Sequence, residues 1–295
     1  MDYFLQLLLS GTMSGGVYAL MALGIVVIYK ASGIFNLAVG AIVAMGCLLG
    51  WGLLVQAGLP LPVVLVVLFI VALVLGLVVE RSLMRPLYGQ PPLSALMITL
   101  ALMEIVGGIT ILIWPGIGRI YPPILPTGTV RIWEPAVTAE SLINFIMCML
   151  IFGILVLFFQ YTKVGLAMRA TAEDQQLAQS GGIRVTTMVS MAWFIAIIAG
   201  FLGGVILGPL YGADVTSISI LGLKAFPAVI IGGLQSIPGA IVGGLLVGIS
   251  ETMGAGYLDP YVAGGMADIV PFVVLLVILL IKPYGLFGYE RIERV

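Results

Sequence analysis

Polar residues are scarce along this chain and fall in short clusters that separate long apolar runs, Leu61 to Val79 being the clearest. An α-helix needs about 20 apolar residues to cross a hydrocarbon core about 30 Å thick, and the runs reach that length. A soluble α/β chain would alternate short buried strands with helices bearing a polar stripe at helical spacing, and no such stripe dominates here. The pattern predicts spans over residues 5–29, 36–56, 61–79, 93–114, 141–160, 187–210, 238–257 and 262–281. The fold class implied is an all-α polytopic membrane protein with eight or nine transmembrane helices. It forms one transmembrane domain over 1–295 with an extended polar loop at 162–185.

Charge placement orients these spans. Lys30, then Arg81 and Arg85, then Lys163, Arg169 and Arg184 follow the first, third and fifth runs. Short loops rich in Lys and Arg stay in the cytoplasm, so these connections are expected inside and the N-terminus in the periplasm. The loop from Pro115 to Glu140 sets Arg119 and Arg131 against Glu134 and Glu140, is rich in Pro and Gly, and is expected outside, with Trp114 and Trp133 as interfacial anchors. Eight spans would then strand Lys282, Arg291 and Arg294 outside, although a basic tail belongs in the cytoplasm. One more crossing is needed, and Thr216 to Gln235 offers it: apolar apart from Lys224 and a few hydroxyls, interrupted by Pro227, and running through Gly232 and Gly233. It reads as a ninth crossing or as a broken or re-entrant helix over 216–240. Irregular backbone at membrane depth is tolerated only where protein or a water-filled cavity satisfies it, which puts this segment near a transport path.

Composition narrows the chemistry. Hydrophobic residues make up 61% and charged residues 8% of the chain, against about 25% charged in soluble domains. With a net charge of −1 and no basic run, nucleic acid is excluded as a partner. There is no His, and Cys47 and Cys148 both sit in apolar runs, so no metal site and no disulfide framework are expected; both read as small buried apolar residues. Met1 to Ser10 lacks a basic leader region and carries Asp2, so the first run is expected to be retained as a span. None of the four lysines, Lys30, Lys163, Lys224 and Lys282, is followed by Ser or Thr, which excludes a phosphate-binding loop of the Walker type. Without a His base, a Ser-x-x-Lys pair or paired carboxylates on one helical face, no catalytic residue and no cofactor are expected on this chain, which is not read as an enzyme.

The 39 glycines point to close helix packing, since small residues let helices approach where lipid supplies no hydrophobic drive. Gly11, Gly15 and Gly16 form one such stripe and Gly239, Gly243, Gly244 and Gly248 another. Gly40-Ala41-Ile42-Val43 recurs as Gly239-Ala240-Ile241-Val242, each opening a glycine-rich helix, an echo that an internal repeat or chance can produce in so biased a sequence.

Two sets of residues carry functional candidates. In the loop over 162–185, Thr171 is placed to cap a helix over about 172–180, with Asp174 three residues on, Glu173 in the first turn, and Gly181 or Gly182 in a left-handed C-terminal position. That helix is either a plain surface linker or a rigid knob for a soluble partner. Within the spans, ionisable side chains are costly and each is a functional candidate. Glu104 and Glu251 either line a path or serve as structural carboxyls; Lys224 either attracts a substrate carboxylate or snorkels to a headgroup; Tyr18, Asn36, Ser236 and the stripe glycine Gly239 either face a solute or tie helices together.

Four motifs give the chain a family resemblance. Arg169-Ala170, Ala178 and Gly182-Ile183 resemble the Arg-Ala-x7-Ala-x3-Gly-Ile signature of LivH-type permeases, with Gly165 preceding it. Gly16-Val17-Tyr18-Ala19-Leu20-Met21-Ala22-Leu23-Gly24 through Ile28-Tyr29-Lys30 resembles that family's first motif, Asn36-Leu37-Ala38-Val39-Gly40 its second, and Ala225 through Ala240 its late glycine-rich motif. They run in family order through most of the chain. The resemblance implies the permease subunit of a bacterial ABC importer in the inner membrane, paired with a second permease, either LivM-like or an identical copy. It also implies two cytoplasmic LivG/LivF-like ATPases holding ATP and Mg, a periplasmic substrate-binding protein, and membrane lipid around the spans. In that scheme Gly165, Arg169, Ala170, Thr171, Glu173, Asp174, Ala178, Gly181, Gly182 and Ile183 form the element that couples ATPase closure to the pore. The family's second motif usually carries His and then Glu where Val39 and Ala41 stand, and its late motif Gly where Gln235 stands, so no polar role passes to Val39 or Ala41. The solute implied is a branched-chain or related amino acid; the alternative is an ATPase-independent channel or secondary transporter for urea, short amides or aromatic acids.

Overall fold

The computed structural model describes residues 2–87, 92–116, 118–121, 126, 128–131, 136–262 and 264–288. Trp133, Glu134, Arg291 and Arg294 lie outside the described residues. The elements in chain order are α1 (Asp2–Ser32), α2 (Val39–Trp51), α3 (Leu61–Val79), α4 (Pro92–Ile113), a hairpin of β1 (Thr129–Arg131) and β2 (Ala136–Thr138), α5 (Ala139–Tyr161), α6 (Lys163–Glu173), α7 (Gln175–Ser180), α8 (Val185–Tyr211), α9 (Val215–Leu223), α10 (Ala225–Gly232), α11 (Ile237–Val262) and α12 (Met266–Ile281). A π-helical turn, Gly52–Gln56, extends α2, and another, Glu80–Met84, extends α3. Among the described residues, eight segments are long and apolar enough to cross a membrane, Val215–Gly232 being one of them, and Met266–Ile281 is a shorter apolar helix. The protein is therefore an all-α polytopic membrane protein, and the eight apolar runs of the sequence each contain a helix.

Local chemistry moves the boundaries. α2 starts at Val39 because Asn36 spends its side chain on the turn before it, its Oδ1 accepting from Ala38 N at 3.0 Å. The segment after α8 is broken as expected, but the break stands at Lys224 and not at Pro227. Pro227 is the third residue of α10, in the first turn where a proline's missing N–H removes no helical bond.

Residues 1–26, 123–151 and 224–295 make one compact unit. In it the two glycine stripes read from the sequence meet each other. A Cβ on Gly15 would stand 2.7 Å from Leu245 Cα, and one on Gly11 would stand 2.7 Å from Ile249 Cα, while Gly248 lies against Gly11 and Gly15. Gly16 points elsewhere, onto the ring of Phe145. Farther along, Gly232 of α10 and Gly239 of α11 touch backbone to backbone, and Leu286 N and Phe287 N donate to the end of α10 at Ile231 O and Gly232 O.

Residues 27–122 and 152–223 make the second unit, with α2 at its centre against α4, α8 and α9. Gly40 of α2 meets Ser219 O and Gly222 of α9, Gly204 of α8 meets Val43 O, and Gly76 of α3 would place a Cβ 2.9 Å from Phe194 Cα of α8. The sequence echo thus has a structural counterpart: Gly40 packs on one half of the broken segment and Gly239 on the other. Trp114, expected as an interfacial anchor, is instead buried over Gly52, its indole donating to Gln56 Oε1 at 3.3 Å. An aromatic beside a glycine gap fills that gap first.

Candidate functional site

The polar loop folds as two short helices. Thr162 caps α6, its Oγ1 accepting from Gly165 N at 3.0 Å, and Gly165 sits so close to Phe158 and Phe159 that a Cβ would stand 2.5 Å from Phe158 O. The turn from α5 into α6 is therefore tight and its direction fixed. Along α6, Gly165, Met168 and Thr171 are buried at a spacing of three, while Arg169 reaches back to donate to Gln160 O at 3.2 Å. Arg169 and Glu173 also lie within electrostatic reach of Lys30 at the end of α1.

Thr171 is not the expected cap. Thr171 lies inside α6, buried, its hydroxyl donating to Ala167 O at 2.9 Å, and the helix over 172–180 is divided at Asp174. Asp174 takes the capping role, with extended backbone and Oδ1 accepting from Gln176 N at 2.8 Å and Leu177 N at 3.0 Å. Competition decided it: Thr171 is at the spacing that buries one face of α6, and a hydroxyl in that position bonds the preceding turn. The C-terminal reading holds at Gly182, whose φ of +82° is left-handed. Gly182 N donates to Gln179 O and Ile183 N to Ala178 O, the paired bonds of a Schellman ending. Ala178 faces inward while Leu177 is 71% exposed, so α7 presents an apolar side chain to its surroundings on a rigid, doubly capped turn.

The candidates inside the spans separate into three groups. Asn36 and Ser236 serve as caps, Ser236 Oγ accepting from Gly239 N at 3.0 Å at the start of α11; Gly239 packs on Gly232, and Tyr18 is fully buried. Glu104 lies on an exposed face of α4, and neither Gly107 nor Gly108 beside it has a neighbour within 4 Å of where a Cβ would stand. Lys224 and Glu251 come together. Lys224 is buried, its Nζ 2.6 Å from Glu251 Oε1 of α11 and 2.9 Å from Asp268 Oδ1 of α12. Its ammonium is thus paired within the chain. The amine at the break in the α9–α10 segment is held between two carboxyl groups.

Asp268 was missed in the sequence because it stands in the first turn of its span, where a carboxylate needs no explanation. The signal for it was the lone Lys224, since a buried ammonium demands a partner. Also missed was the cap at the far end of α8 from α6 and α7. There Tyr121 wedges against Gly50 and Gly208, Arg119 exchanges backbone bonds with Ala213, and its guanidinium lies 4.7 Å over the Trp51 ring. Burial pushes the Tyr121 phenol above its ordinary range.

Residues 7–279 match the protein family described as the permease component of the branched-chain amino acid transport system. The chain belongs to this permease family. It is 31% identical over 314 residues to the high-affinity branched-chain amino acid transport system permease protein LivH of Escherichia coli, covering 99% of this chain and 98% of that one. It is 30% identical to BraD of Pseudomonas aeruginosa, named likewise, with the same shares covered. A probable LivH of Methanocaldococcus jannaschii is 28% identical over 93% of this chain and 90% of its own. Among solved structures, PsaBC from Streptococcus pneumoniae in complex with Fab matches in fold, with a TM-score of 0.50 at 18% identity over 95% of this chain and 94% of that one. A permease of this family is a multi-pass membrane transport subunit and not an enzyme.

Proposed function

We propose that this permease is one half of the solute path of an ABC importer for branched-chain or related amino acids, and that α6 and α7 are its coupling element. Two cytoplasmic ATPases, LivG/LivF-like, would hold the ATP and Mg. A periplasmic binding protein would deliver the solute, and a LivM-like permease or a second copy would complete the pore. The N-terminus then lies in the periplasm and the C-terminus in the cytoplasm, as the basic loops require. The observation that carries the coupling role is α7 itself: six residues, too short to be stable alone, yet capped at both ends by Asp174 and Gly182 and presenting Leu177. The names of the relatives support the amino-acid class of solute.

The path residues follow from cost. An ionisable group on an exposed face within a span is unfavourable against lipid, so Glu104 is assigned to water or to a partner helix. The Lys224 cluster holds the broken segment to α11 and α12. Tyr18, Ser236 and Gly239 shape helices of the same unit, and Asn36 holds the turn before α2 in the other. Copurification of the tagged chain with the products of its neighbouring genes tests the assembly. The importer assignment fails if no ATPase accompanies the chain and uptake persists without ATP; that result would favour an ATPase-independent carrier or channel for urea, short amides or aromatic acids.

A further inference from the structure

We infer that a cavity between the π-helical end of α3 and the first turns of α8 is a binding site for a phospholipid headgroup carrying a primary ammonium and a phosphate. The cavity measures about 240 Å³ and belongs to one unit of the chain. Its polar wall is made of Glu80, Arg85, Thr186, Thr187 and Ser190. Glu80 is 5% exposed, and its buried Oε1 has no hydrogen-bond partner among the described residues. Burying a carboxylate oxygen unpaired is unfavourable, and the ready remedy, an ion pair with Arg85 on the same wall, is not made among the described residues. An acid and a base that line one cavity without touching each other complement a zwitterion. A lone anion would leave the buried Glu80 unmet, and a lone cation would leave the exposed Arg85 guanidinium to water.

The other wall selects the source. Leu73 and Leu77 lie on the outward face of α3, 41% and 52% exposed, with Met191 and Phe194 of α8 beside them. A solute soluble in water gains nothing from apolar surface that opens sideways out of a span, whereas a lipid places its acyl chain there and its headgroup against the polar wall. Guanidinium binds phosphate through charge-assisted bonds, and the hydroxyls of Thr186 and Thr187 add donors. Glu80 then takes the ammonium, which rules out a quaternary headgroup with no N–H to donate. Thr186 and Thr187 of its wall stand in the first turn of α8, the helix that follows α7 in the chain and contacts it.

Native mass spectrometry of the intact, detergent-purified chain with added phosphatidylethanolamine, phosphatidylcholine or phosphatidylglycerol tests this. Retention of phosphatidylethanolamine is expected to exceed that of either other lipid by about tenfold, the scale of one charge-assisted hydrogen bond. Glu80→Gln should erase that preference, and Arg85→Gln should lower retention of all three. Equal retention of the three headgroups by the unmodified chain, a comparison that needs no variant, overturns the proposal. Displacement of the lipid by leucine or glycerophosphoethanolamine at equal concentration would assign the cavity to a soluble zwitterion and overturn the lipid assignment.

Discussion

Lys224 Nζ donates to Glu251 Oε1 at 2.6 Å, tying the break in the α9–α10 segment to the middle of α11. Asp268 shares the ammonium at 2.9 Å but is 68% exposed at its side chain, against 14% for Glu251. The two carboxylates are therefore unequal. Lys224→Met should lower stability by about 3–5 kcal/mol, because it leaves a buried carboxylate without its cation. Asp268→Asn should cost no more than about 1 kcal/mol. Replacing Lys224, Glu251 and Asp268 together by apolar residues should recover most of the loss. Thermal unfolding of the purified variants in detergent checks the order, and a larger loss for Asp268→Asn than for Lys224→Met would contradict it.

The glycine stripes divide into positions that hold helices together and positions that do not. Gly15→Ala should destabilise by about 1–3 kcal/mol, since the new methyl would stand 2.7 Å from the Leu245 backbone, which has no rotamer to yield. Gly107→Ala meets nothing within 4 Å and should stabilise α4 by up to about 1 kcal/mol through helix propensity. The same unfolding measurement separates them, and equal effects would mean that stripe packing is not what the glycines supply.

Glu104 is exposed on α4 and makes no hydrogen bond or ion pair among the described residues. Glu104→Leu should change the unfolding temperature of the isolated chain by the equivalent of no more than about 0.5 kcal/mol, yet lower solute uptake by the assembled transporter. Loss of stability without loss of transport would make it a structural carboxyl and remove it from the path.

Asp174→Ala removes both bonds that start α7, worth about 1 kcal/mol of helix stability. In a six-residue helix that loss is a large fraction of what holds it. The expected outcome is ATP hydrolysis retained by the assembled transporter with uptake reduced, read as solute moved per ATP consumed. Asp174→Asn, which keeps a capping acceptor, should restore most of the ratio.

The spans were legible because run length and composition act over 20 or so residues at once, and no local preference competes with them. The glycine stripes on α1 and α11 were legible for the same reason, and they mesh with each other. What sequence could not supply was the winner of local contests. Thr171 and Asp174 both have capping side chains three residues apart, and only the packing of α6 shows that Thr171 is needed on its buried face. Pro227 and Lys224 both interrupt the broken segment, and the break falls at the residue whose charge has two partners waiting on α11 and α12. Those partners lie 27 and 44 positions away, a separation at which no periodicity speaks. Trp114 was read by its type, while the gap left by Gly52 decided its place.

On the proposed function, this permease moves its solute only when α7 is driven by an ATPase. The direct measurement is leucine uptake into proteoliposomes holding the copurified transporter and its binding protein, with the unmodified chain compared with Ala178→Arg, which places a charge at the buried face of α7. Uptake that requires ATP in the first case, and ATP hydrolysis without uptake in the second, is the predicted result. Uptake that proceeds without ATP, or that survives Ala178→Arg at an unchanged ratio to hydrolysis, would contradict it.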